Sequence, residues 1–139
     1  MSKSGVEVSD DVIKAFNDMK LNRTHRYLSV AIKDKKEIFL EKASSREETY
    51  AELFANIPNE PRYYIVDFEF ELQEGEGSRS KLVFMYWCPD TAKVGEKMLY
   101  ASSKESLKRK LEGVFEVQAN DKGDADEQYI ISKLKAATK

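Results

Sequence analysis

The spacing of apolar positions changes several times along the chain, and each change marks an element. Behind Ser9, the residues Val12, Ile13, Phe16 and Met19 recur with helical spacing, which predicts a helix over residues 10–20. Ser9 suits its N-cap, and Asp10 and Asp11 suit its positive end. Residues 26–32 and 38–42 read as a strand pair around the polar turn Asp34-Lys35-Lys36. Residues 47–56 form a short amphipathic helix with Tyr50, Leu53 and Phe54 inward. Ile57-Pro58 closes it, because a residue before proline is pushed out of helical geometry.

The next strand changes character partway. From Tyr63 to Val66 both alternating faces are apolar, as in a central strand covered on both sides. From Asp67 onward Phe68, Phe70 and Leu72 alternate strictly with Asp67, Glu69 and Glu71. The central strand therefore runs on into a ribbon covered on one face only. Residues 73–80 supply the turn, and the apolar run within 81–88 is a buried return strand. The hairpin tip projects beyond the core and carries Arg79 and Lys81. After Pro89-Asp90 a long helix extends to about Leu111, and Gly113 ends it as a C-cap. A strand over 114–118 and a helix over 124–136 complete the chain. Hairpins mixed with helical crossovers imply an α/β fold with a mixed sheet of about five strands.

Composition narrows the class without identifying it. The 139 residues are 41% hydrophobic and 35% charged, enough apolar material for one core beneath a charged surface. No repeat or low-complexity linker divides them, so a single domain over 1–139 is expected. The apolar run Leu82 to Cys88 falls far short of the roughly 20 residues of a membrane span. A charged start followed by an apolar stretch is missing, and one cysteine cannot form an internal disulfide or a zinc cluster. These features fit a cytoplasmic, reducing environment.

The formal net charge of −2 hides an uneven distribution. From Arg79 to Leu111 eight basic residues face three acids, a segment of net +5 set in a body of −7. Such a segment either presents a directional field to an acidic partner or is simply a solvated helix face. Placing Met98 at zero and advancing 100° per residue puts Leu107 at about 180°, with Tyr100 and Leu111 beside it. The opposite stripe holds Met98, Ser102, Glu105 and Arg109, flanked by Lys97, Lys104 and Lys108. A methionine at the centre of a polar stripe fits a protein-binding surface, since its thioether adapts to a partner.

Catalytic readings are weak. Nothing in the sequence brings Cys88 to His25, the single histidine, and a buried inert thiol is the better reading. Asp67, Glu69 and Glu71 lack His or Cys support for a metal, and read as an exposed acidic face. Gly75-Glu76-Gly77 has neither the spacing nor the context of a phosphate loop. No enzyme activity, metal or cofactor is expected.

Three runs carry a resemblance: Ser4-Gly5-Val6, Trp87-Cys88-Pro89-Asp90-Thr91-Ala92, and the eight residues from Lys97 to Lys104. Phe16-Asn17-Asp18-Met19-Lys20 and the strand from Tyr63 to Phe70 support it. Over essentially its whole length the chain resembles the ADF/cofilin family of actin-depolymerising proteins. The resemblance implies a five-stranded mixed sheet between helices on both faces, with residues 1–8 as a flexible N-terminal arm. It implies a monomer that binds actin monomers and filaments, severs and depolymerises filaments, and has no nucleic-acid partner. Mapped onto this chain, the contacts shared by monomer and filament are Ser4, Gly5, Val6, Lys97, Met98, Ser102, Lys104, Glu105, Lys108 and Arg109. Arg79, Lys81 and Lys133 match filament contacts, and Ser4 matches a regulatory phosphorylation site, with Ser2 a nearby candidate. A phosphate there adds roughly −1.5 to −2 charges and repels an acidic partner.

The resemblance also implies phosphatidylinositol bisphosphate binding through overlapping basic residues. Two alternatives stay open: a domain of this fold with weak or no severing activity, and a phosphoinositide-binding module. One departure stands out. Members of the family it resembles usually carry Arg or Lys two positions before the Lys-Met pair, whereas this chain has Gly95, which implies weaker actin affinity.

Overall fold

The computed structural model describes residues 6–72, 75 and 77–138. Their elements run β1 (Glu7–Val8), α1 (Asp10–Asn22), β2 (Tyr27–Lys33), β3 (Glu37–Ala43), α2 (Tyr50–Ala55), β4 (Arg62–Glu71), β5 (Ser78–Trp87), α3 (Val94–Lys108), β6 (Phe115–Ala119) and α4 (Glu127–Thr138). The strands form one mixed sheet in the order β1-β3-β2-β4-β5-β6. β1 pairs with β3, and β5 with β6, in parallel; the three inner pairings are antiparallel.

Strand alternation divides the core into two halves. Leu28, Val30, Tyr63, Ile65, Phe84 and Tyr86 face α1 and α3, burying Phe16, Met19, Tyr100 and Leu107. Tyr27, Tyr64, Val66, Phe68, Val83 and Met85 face α2 and α4, burying Tyr50, Leu53, Ile130 and Leu134. Helices therefore cover both faces of a mixed sheet, as expected. The sheet has six strands instead of five, because β1 is too short to show any hydrophobic period. Its register, Glu7 opposite Glu37 and Val8 opposite Ile38, ties part of the expected N-terminal arm into the sheet.

At three helix ends local chemistry adds to or differs from the sequence pattern. α2 begins at Tyr50 rather than 47, because Thr49 and Glu52 form a reciprocal capping box. Ser9 does occupy the N-cap of α1, but its hydroxyl donates to the Asp11 carboxylate and caps no backbone N–H. α3 ends at Lys108, where the chain tightens into two i to i+3 bonds, Lys110 N–H to Leu107 and Leu111 N–H to Lys108. Leu111 stays in the core, and Gly113, at φ 84°, turns the chain into β6.

The ribbon begins where the alternation changes. β4 pairs with β2 only as far as Val66, and β5 with β6 only from Val83. Beyond those points Asp67–Glu71 and Ser78–Leu82 are in strand register only with each other, with one further backbone bond from the Asp67 N–H to the Arg26 carbonyl. Phe68 and Phe70 are buried on the α2/α4 side, with the Phe68 ring 4.9 Å from that of Tyr50. The other face is exposed at Glu69 and Glu71 as expected from sequence, but not at Asp67, which is only 4% exposed; arginines pair with Asp67 and with Glu69.

Candidate functional site

α3 crosses the α1-side face of the sheet, and two tyrosines fix its position. Tyr63 of β4 donates its hydroxyl hydrogen to the Tyr100 carbonyl, and the Ile32 N–H donates to the Tyr100 hydroxyl (2.9 Å). With Tyr100, Ser103 and Leu107 buried, the opposite side of the helix must face out. Met98 is 67% exposed and Ser102, Glu105 and Arg109 are exposed, so the stripe lies where the helical spacing puts it. Lys97 is half-buried beside Met98, and among the described residues no ion pair engages it.

Sequence reasoning missed Val94, which is 70% exposed one turn before Met98. The i, i+4 spacing of two apolar residues on a polar face was the available signal. Val94 and Met98 together give the outer side of α3 an apolar strip with lysine beside it.

Lys104 and Lys108 are not the free flanking charges the helical pattern implied. Glu116 of β6 takes both: Lys104 Nζ and Lys108 Nζ each lie 2.6 Å from its carboxylate oxygens. Burial opposes ionisation of Glu116, but the two lysine hydrogen bonds outweigh it and hold the carboxyl below its ordinary range. Lys108 is pushed upward by the same hydrogen bond. Ser103, next to the exposed Ser102, faces the core. It is fully buried, and its hydroxyl has no hydrogen-bond partner among the described residues.

The N-terminal contacts divide. Val6 is buried in the core, so its side chain is not on the exposed surface, and β1 passes beside α3. Ser2, Ser4 and Gly5 lie outside the described residues.

Arg79 and Lys81 sit on the ribbon, exposed, opposite Phe70 and Phe68 in register. Opposed residues share a sheet face, so both lie on the α4 side, away from α3. Lys133 lies on α4 with its ammonium 4.9 Å from the centre of the Tyr129 ring. The candidate residues thus fall into two groups on different sides of the sheet: α3 with the N-terminal strand, and the ribbon with α4. Cys88 and His25 belong to neither. Cys88 is buried in the core, and His25 Nδ1 donates to the Ser44 carbonyl (2.8 Å). Among the described residues no cluster of His, Cys, Asp or Glu could hold a metal ion.

Comparison with known proteins places this arrangement. The family profile described as cofilin/tropomyosin-type actin-binding protein matches residues 5–135. The chain is 41% identical to cofilin of Kluyveromyces lactis over 139 residues, covering 99% of this chain and 97% of that protein. It is 44% identical to actin-depolymerizing factor 1 of Arabidopsis thaliana over 126 residues, covering 88% and 90%. In three dimensions it matches the crystal structure of Streptomyces griseoflavus cofilin with a TM-score of 0.84 at 34% identity, covering 93% of this chain and 98% of that one. A profile spanning nearly the whole chain and full-length relatives above 30% identity agree: the protein belongs to the ADF/cofilin family of actin-binding proteins.

Proposed function

We propose that this protein binds actin monomers and filaments in the cytoplasm, severs filaments and accelerates their loss of subunits. The observation that carries the reading is the outward face of α3, an apolar Val94–Met98 strip with Lys97 beside it on a helix fixed to the core. An apolar strip with a cation beside it suits an apolar cleft with acidic margins. Ser102, Glu105 and Arg109 extend the contact, and Ser4 and Gly5 add to it. Lys104 and Lys108 contribute in so far as an acidic partner displaces Glu116. Arg79, Lys81 and Lys133, on the other side of the sheet, serve a second actin subunit, available only in the filament. Severing then follows from differential binding: the protein favours one filament twist and shifts the population toward it.

Phosphorylation at Ser4 weakens the α3-side contact by charge repulsion. Phosphoinositide binding ranks second, because two of the lysines it would use already share Glu116.

Co-sedimentation with filaments, monomer binding and filament length by microscopy test the reading together. Lys97→Ala should weaken both forms of binding, and Arg79→Ala should weaken filament binding selectively. Equal loss in both assays from Arg79→Ala contradicts the division of surfaces. Absence of binding to either form of actin, with binding to phosphoinositide vesicles retained, replaces this reading with the phosphoinositide one.

A further inference from the structure

The acids of β4 that resembled a metal site have another use. A two-stranded ribbon leaving a sheet is marginal by itself in water. This one is gripped on the face opposite Arg79 and Lys81 by three arginines, two from the α1–β2 connection and one from the β3–α2 connection. Arg46, between β3 and α2, places Nη1 2.7 Å from Asp67 Oδ2 and Nη2 3.1 Å from Glu69 Oε2. Arg23, the left-handed C-cap of α1, places Nη2 3.3 Å from Asp67 and 2.9 Å from Glu69. Its Nη1 reaches across to Ser80 Oγ on β5 (3.2 Å). Arg26 donates to the Asp67 carbonyl (3.0 Å), while the Asp67 N–H donates to the Arg26 carbonyl (2.9 Å). Arg46 is itself held by the His25 carbonyl (3.1 Å).

Both strands of the ribbon are therefore tied to α1 and to the loops flanking β2 and β3. Asp67 is buried while Arg23 and Arg46 are partly exposed, so its ion pairs are screened less than ordinary surface pairs.

We infer that Arg23, Arg26 and Arg46, acting through Asp67 and Glu69, are positioning residues that fix the direction of the ribbon and thereby the placement of Arg79 and Lys81 against a filament. The inference rests on the proposed role of Arg79 and Lys81. Filament binding requires two surfaces on one molecule to meet two actin subunits at once, so the angle between ribbon and α3 must be set beforehand. A loosened ribbon keeps its charges but loses that alignment. Monomer binding, which uses α3, is untouched.

The test compares Arg46→Gln with wild type and with Arg79→Ala, using hydrogen exchange of backbone amides alongside both actin-binding assays. Arg46→Gln should speed exchange in the ribbon by about tenfold, leaving Ile65 and Met85 unchanged. Filament affinity should fall by at least about threefold with monomer affinity unchanged. Arg79→Ala should lower filament affinity without altering exchange. Glu69→Gln, at a half-exposed position, is the parallel variant should loss of Arg46 beside buried Asp67 prevent folding. Ribbon exchange equal to wild type in either folded variant overturns the brace. Faster exchange with unchanged filament affinity, or monomer and filament affinities falling in step, overturns its link to binding. If wild type fails to sediment with filaments, the actin reading fails at that point, while exchange still decides whether the brace exists.

Discussion

The hydroxyl of Tyr63, at the centre of the sheet, donates to the backbone carbonyl of Tyr100, in the middle of α3. Tyr63 is fully buried, and its ring packs 5.2 Å from that of Tyr100. The bond sets the height of the helix over the sheet and with it the outward aim of Met98. Tyr63→Phe keeps the packing and removes the donor, so it should cost about 1 kcal/mol of unfolding free energy. Tyr100→Phe should cost more, about 1–2 kcal/mol, because it strands the Ile32 N–H. Chemical denaturation of the two variants checks the order; Tyr63→Phe as the costlier change would show that the Ile32 bond is the lesser one.

Ser103 offers the opposite case. Its hydroxyl is fully buried without a partner among the described residues, so folding strips it of water and returns nothing. Ser103→Ala removes that polar group and improves helix propensity. It should raise stability by roughly 0.5–1 kcal/mol and leave binding through Met98 unchanged. A drop in melting temperature would mean that the hydroxyl is satisfied in solution.

The contrast between these residues and the ribbon shows what a sequence can carry. The change of alternation at Asp67 marked where β4 leaves the sheet, since burial on one face or two writes itself directly into the pattern. Helical spacing likewise placed Met98 outside and Leu107 inside. What the pattern lacked were partners distant in the chain. Arg46 meets Asp67 across 21 positions and Glu116 meets Lys104 across 12, and no local period encodes either. Acids with unseen partners read as exposed, and lysines with unseen partners read as free. The two-residue β1 was invisible for a simpler reason, being shorter than one full alternation.

The Glu116 pair with Lys104 and Lys108 makes a prediction about pH. Hydrogen bonds from both lysines outweigh burial and hold the Glu116 carboxyl below its ordinary value of 4.5. A depressed folded value means that Glu116 stabilises the protein above the unfolded value and that the contribution disappears as pH falls through the folded one. Wild type should therefore melt above Glu116→Gln at neutral pH, and the two curves should converge as pH falls below 4.5 and through the lowered folded value. Thermal unfolding of both proteins across that range checks it. A gap that persisted unchanged at about pH 2 would assign the effect to packing rather than charge.

Gly95 separates helix propensity from charge at the binding surface. It lies exposed in the first turn of α3, and an added Cβ there meets nothing within 4 Å, so alanine fits without a clash. Gly95→Ala should stabilise the helix by up to about 1 kcal/mol and leave actin affinity unchanged. Gly95→Arg places a basic residue two positions before the Lys97-Met98 pair. Its gain in propensity is offset by a positive charge at the helix N-terminus, about 0.3–1 kcal/mol unfavourable, so net stability should hardly move. Its affinity for actin should tighten about two- to fivefold at low salt, the scale of one exposed ion pair. That gain should shrink as salt rises, because exposed charges are screened. Tightening by alanine as well as arginine would trace the effect to helix order, and unchanged affinity in both would remove Gly95 from the contact surface.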